Sequence, residues 1–77
     1  MLQPNEQEEF NELLKKIGRN MREIRKERKI TQEKASEKLG LEIRYYQRLE
    51  SGEYPITTKN LFRIASRLGV EVKRLVS

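Results

Sequence analysis

Residues 31–52 read TQEKASEKLGLEIRYYQRLESG, and this stretch decides the fold. It divides into two short helical segments on either side of Gly40. Thr31 suits the N-cap of the first, because its hydroxyl can accept a hydrogen bond from a backbone N–H that has no partner in the first turn. Gly40 ends that helix, since glycine enters the left-handed conformation of a helix C-terminus without a Cβ clash. The second segment runs from roughly Glu42 to Ser51, with Gly52 beyond it. On a helical wheel of about 100° per residue, Tyr46 and Leu49 point one way and Arg44, Gln47, Arg48 and Ser51 the other. Ile43 and Tyr45 lie on the flanks. Arg and Gln make bidentate contacts to guanine and adenine edges respectively, and a helix carrying them outward from a scaffold is suited to the DNA major groove. The competing reading of the same residues is the solvated face of a packing helix.

The composition narrows the choice. Seventy-seven residues make at most one domain, with a modest core. The chain has no Cys, His or Asp, and all twelve acidic residues are Glu. Disulfides, zinc sites, EF-hand loops and nucleophile–base triads each lack an essential residue type. No Glu, Lys or Tyr cluster resembles a catalytic site, so no enzyme and no cofactor is expected. No apolar run approaches bilayer length and the acidic N-terminus does not resemble a signal peptide. The expectation is a cytoplasmic protein with no membrane partner and no small-molecule ligand.

Charge is unevenly placed. The net charge is +5. Residues 1–14 hold Glu6, Glu8, Glu9 and Glu12 and no Lys or Arg, so the rest carries 17 basic against 8 acidic side chains, a net +9. Such a surface favours an anionic polymer, although Lys and Arg also serve simply to solvate helices.

The whole chain reads as helical. Phe10, Leu13, Leu14, Ile17, Met21 and Ile24 form one apolar stripe, predicting a first helix from about Glu6 to Arg28 that Gly18 interrupts mildly. Residues 5–14 are either its first turns or a separate arm. The domain organisation expected is an acidic extension over 1–16 and the main domain over 17–77. After the loop Glu53-Tyr54-Pro55-Ile56, Thr57 or Thr58 caps a further helix with Leu61, Ile64, Ala65 and Leu68 inward, ended at Gly69. Val70, Val72, Leu75 and Val76 predict a last short helix.

Several elements together closely resemble the Cro/lambda-repressor-like helix-turn-helix family over about Ile17 to Val76. They are Ile24-Arg25, Thr31-Gln32-Glu33, Lys38-Leu39-Gly40, Arg48-Leu49-Glu50-Ser51-Gly52, Ile64-Ala65 and Leu68-Gly69-Val70. Each alone is weak; at this spacing the set is specific. The resemblance implies an all-α fold, a compact bundle of four to five helices, in which helix 42–51 reads DNA. It implies base-reading roles for Ile43, Arg44, Gln47 and Arg48, phosphate contacts for Gln32, Lys59 and Asn60, and a structural ion pair between Arg25 and Glu50. Lys59 also reads as a free surface lysine. The family often has Ser or Thr where Glu42 stands. Glu42 favours the helix dipole, so a structural role is expected before a bond to cytosine N4. Ala35 and Tyr46 replace aliphatic residues usual in the family, a small and a large side chain that compensate in volume, so Tyr46 is expected in the core.

The implied function is a sequence-specific transcriptional regulator, most simply a repressor, binding double-stranded DNA as a homodimer on a pseudo-palindromic operator with half-sites about 34 Å apart. Val70, Val72, Leu75 and Val76 form the dimer surface or close the monomer core; the stripe at Phe10, Leu13 and Leu14 suits either role. The alternatives are a restriction–modification controller, or a protein-interaction module such as an antitoxin or a bridging factor, for which residues 1–14 are the partner-binding candidate.

Overall fold

The computed structural model describes residues 1–77 and contains five helices and no strand: α1 (Pro4–Glu27), α2 (Gln32–Leu39), α3 (Ile43–Ser51), α4 (Thr58–Leu68) and α5 (Val72–Val76). Helix α1 packs on α3 and α5, α2 on α3 and α4, and α4 on α5. At about 1.5 Å per residue, the 24 residues of α1 account for the 37 Å long axis of the molecule.

Helix α1 is continuous through residues 5–14 and starts two residues before the expected position. Pro4 occupies its first turn, where the missing N–H costs nothing. The Glu6 carboxylate reaches back to accept from the Gln3 backbone N–H at 2.9 Å. Of the four N-terminal glutamates, only Glu6 lies in the first turn. The C-terminal end comes at Glu27, one residue before the expected Arg28. Lys29 then adopts a φ of 56°, an uncommon conformation for a side-chain-bearing residue.

The other caps follow the sequence. Thr31 Oγ1 accepts from Lys34 N at 3.1 Å and Thr57 Oγ1 from Asn60 N at 3.1 Å, which decides for Thr57 over Thr58. Gly40, with a φ of 68°, closes α2, and Arg67 on α4 donates to the Leu39 carbonyl at 2.8 Å beside it.

Ile17, Met21 and Ile24 of α1 meet Ala35 and Leu39 of α2, Tyr46 and Leu49 of α3, Ile64, Ala65 and Leu68 of α4, and Leu75 of α5 in one buried core. Burying each large apolar side chain contributes about 1.5–3 kcal/mol. Tyr46 is in this core, together with Ala35, as the volume argument requires. Leu75 is fully buried, and Val70 and Val76 pack against the core. The C-terminal segment therefore closes the monomer, and of its four apolar residues only Val72 is exposed. At the other end the stripe thins out: Leu14 is buried, Phe10 half-buried and Leu13 exposed.

Gly18 positions the interface-bearing helix. A Cβ there would lie 2.7 Å from the Leu49 carbonyl oxygen and would also collide with the Glu50 carbonyl. The backbone of α3 thus rests directly on α1, so Gly18 is a packing requirement rather than a mild interruption.

Candidate nucleic-acid interface

Helix α3 is held at three places. On its inner side Glu50 faces Arg25 of α1 in a bidentate pair, Nε to Oε2 at 3.0 Å and Nη2 to Oε1 at 2.8 Å. The Arg25 and Glu50 side chains are 13% and 4% exposed, so the pair is largely withdrawn from water. Arg25 Nη1 also donates to the Ile30 carbonyl at 3.1 Å, which binds the α1–α2 turn into the same cluster. Burial by itself would raise the Glu50 pKa; hydrogen bonds, led by those from Arg25, outweigh it and hold the carboxyl below its ordinary value. Burial pushes the Tyr46 hydroxyl upward, with Glu50 adding to the effect. Both groups therefore keep one protonation state at neutral pH: Glu50 charged and Tyr46 neutral.

At its N-terminus Glu42 is the cap. Its carboxylate accepts from Tyr45 N at 3.0 Å. The backbone N–H groups of Arg44 and then Tyr45 lower its pKa. Glutamate thus does here what Ser or Thr does elsewhere, satisfying donors the helix leaves unpaired. On the flank, Tyr45 is half-buried and its hydroxyl accepts from Asn60 Nδ2 of α4 at 2.9 Å. Tyr45 is therefore a strut between α3 and α4.

The outer face presents Arg44, Gln47, Arg48 and Ser51, all exposed, with Ile43 half-buried at the edge. Gln47 Nε2 donates to Gln32 Oε1 at 3.2 Å, and Gln32 Nε2 donates to Glu50 Oε1 at 3.2 Å. A continuous hydrogen-bonded line thus runs from Arg25 through Glu50 and Gln32 to Gln47 on the surface. It places Gln32, at the start of α2, beside the outer face of α3. Ser51 Oγ is turned inward onto the Arg48 carbonyl at 3.0 Å. Lys59 is exposed at the start of α4. Asn60 is half-buried with its amide nitrogen engaged by Tyr45, so its carbonyl oxygen and second N–H are what it has to offer a ligand.

Sequence reasoning missed Tyr54. Arg48 Nη1 donates to its hydroxyl at 2.8 Å, and the guanidinium carbon lies 4.8 Å from its ring centroid. Helix α3 ends between the two residues, so no helical periodicity links them. An aromatic residue shortly after a helix-ending glycine was the available signal.

Helix α2 and the outward-facing basic helix α3, joined through the turn at Gly40, with α3 locked to α1 by a buried ion pair, define a helix-turn-helix protein. The pattern of the helix-turn-helix family matches residues 21–75. The chain belongs to this family, of the Cro/lambda-repressor-like type.

It is similar to the immunity repressor protein of Bacillus phage phi105, with 35% identity over 60 residues, covering 78% of this chain and 42% of that protein. The chain thus spans under half the length of this curated relative. Among solved structures it is similar to the restriction-modification controller protein C.AhdI from Aeromonas hydrophila (TM-score 0.76, 29% identity, 80% of this chain and 94% of that one). It is also similar to the hypothetical transcription factor NHTF from Neisseria (TM-score 0.80, 28% identity, 84% and 75%). No helix is long and apolar enough to cross a membrane.

Proposed function

We propose that this chain is a sequence-specific DNA-binding transcription regulator, most simply a repressor, that inserts α3 into the major groove. The observation carrying this reading is the outer face of α3. Arg44 and Gln47 stand exposed on a helix whose position is fixed by the Arg25–Glu50 pair and the Tyr45–Asn60 strut and whose first turn is closed by the Glu42 cap. Reading base edges requires such rigidity, because misplaced donors lose the bidentate geometry. Arg44 and Gln47 read base edges, Ile43 meets a thymine methyl, and Gln32, Lys59 and Asn60 face phosphates. Family membership and the repressor and controller relatives support the same reading.

One recognition helix covers few base pairs, so the binding unit is a homodimer on a pseudo-palindromic operator. The exposed apolar residues Phe62 of α4, 66% exposed, and Val72 of α5 favour a dimer face there over one at buried Leu75. Control of a restriction–modification system is a second reading, favoured by a match covering 94% of the C.AhdI chain. Selection of bound sites from random duplexes tests the proposal. Enrichment of a motif with two-fold symmetry supports it, and failure to enrich any sequence refutes it.

A further inference from the structure

Arg48 and Tyr54 form a unit whose local cause is the way α3 ends. Gly52 N donates to the Leu49 carbonyl at 3.1 Å and Glu53 N to the Arg48 carbonyl at 3.0 Å. These two bonds make a Schellman turn, with Gly52 at a φ of 79°. A Cβ at position 52 would also lie 2.9 Å from the Cα of Lys15, so the turn is pressed against α1 and has little freedom. Beyond this turn Tyr54 comes to lie beside Arg48. The Arg48 guanidinium then donates to the Tyr54 hydroxyl at 2.8 Å and sits 4.8 Å from the ring centroid.

This geometry separates Arg48 from Arg44. Base edges are read by the N-terminal part of a recognition helix. Arg44 is the second residue of α3, whereas Arg48 lies in its last turn and is drawn toward the loop. The hydroxyl of Tyr54 accepts from one N–H of Arg48, which leaves the guanidinium four further donors and leaves Tyr54 its own O–H. A guanidinium with free donors and a positive charge is matched to a phosphodiester oxygen pair; the guanine edge also offers only acceptors, so the place of Arg48 in the last turn is what decides for the phosphate. Adenine and cytosine edges instead require an acceptor from the protein. Tyr54 also restrains a side chain that would otherwise lose much rotamer freedom on binding.

We infer that Arg48 and Tyr54 together form a clamp for a phosphate of the DNA backbone at the C-terminal end of α3, with Tyr54 the positioning residue for Arg48. This rests on the DNA-binding reading above and departs from the base-reading role that family resemblance assigns to Arg48.

The test measures affinity for a selected duplex and an unrelated duplex across a salt series. Arg48→Ala is expected to weaken both duplexes by the same factor and to reduce the slope of log K against log salt by about 0.9. Tyr54→Phe keeps the ring and removes the hydroxyl, and should weaken both duplexes about three- to tenfold. In the Arg48→Ala background it should cost less than about twofold, because the coupled partner is gone. A readout without DNA is side-chain NMR of the Arg48 guanidinium. Its N–H signals should be resolved in the unmodified chain and averaged by faster rotation in Tyr54→Phe. If Arg48→Ala relaxes preference at one base position, or Tyr54→Phe acts equally with and without Arg48, the clamp is wrong while DNA binding stands. If the unmodified chain binds neither duplex, the DNA-binding reading falls and the clamp falls with it.

Discussion

Gly18 of α1 lies against the backbone carbonyl of Glu50 on α3, so the two helices meet main chain to main chain near the end of α3. The contact is closer than any side chain would permit, and it sets the height at which α3 stands above the bundle.

Replacing Gly18 by Ala should therefore destabilise the fold. Helix propensity alone favours Ala by about 1 kcal/mol. A new Cβ against rigid carbonyls costs typically about 1–3 kcal/mol through overpacking. The second effect should win, read as a lower urea midpoint. A higher midpoint would mean that α1 and α3 separate freely.

Arg25 and Glu50 give a prediction with a pH signature. Arg25→Ala strands a buried carboxylate and should cost about 3–5 kcal/mol, a large share of the roughly 5–15 kcal/mol available to a small domain. The Glu50 pKa is depressed in the folded chain. The stability it contributes is thus complete above the ordinary carboxylate value of 4.5 and is lost as pH falls through the lower folded value. Denaturant midpoints measured from pH 7 downward should decline across that acidic window. In an Arg25→Met, Glu50→Leu double variant this part of the decline should vanish.

Arg44 and Lys59 should fail differently. Arg44→Ala is expected to cost about 1–3 kcal/mol on a selected duplex and to relax preference at one base. Lys59→Ala should lower affinity for all sequences and flatten the salt dependence. Equal losses on specific and random DNA would move Arg44 to the phosphate class, and an unchanged salt slope would remove Lys59 from the interface.

Phe62 tests the dimer. Changing this exposed residue to Glu leaves the core untouched and places charge on the proposed face. Sedimentation should show the unmodified chain as a dimer, in solution or on DNA, and Phe62→Glu as a monomer. Identical behaviour of both chains would put the dimer face elsewhere.

Much of the scaffold was legible because its signals are local. Thr31, Thr57 and the helix-ending glycines announce themselves by residue type, and the 3.6-residue spacing of Ile17, Met21 and Ile24 marks the core stripe. The ends of α1 were less legible. Gln3 is not a usual cap, and the bond that marks the start comes from Glu6 reaching backward. At the far end a lysine takes the left-handed turn that glycine takes elsewhere. Contacts between different elements were also hidden. Tyr54 on Arg48 and Asn60 on Tyr45 depend on how elements meet in space, for which spacing along the chain gives no count.

The line from Arg25 to Gln47 also settles a question of direction. An amide has two nearly identical ends, and only its partners decide which faces outward. A carboxylate only accepts, so Glu50 draws the nitrogen of Gln32. The Gln32 oxygen is thereby turned to Gln47, whose nitrogen points inward and whose oxygen is left free at the surface. With its remaining N–H, Gln47 offers one acceptor and one donor, the complement of an adenine edge. The polarity of an exposed side chain is thus written by a charge inside the protein, the same carboxylate that ties α3 to Arg25 of α1.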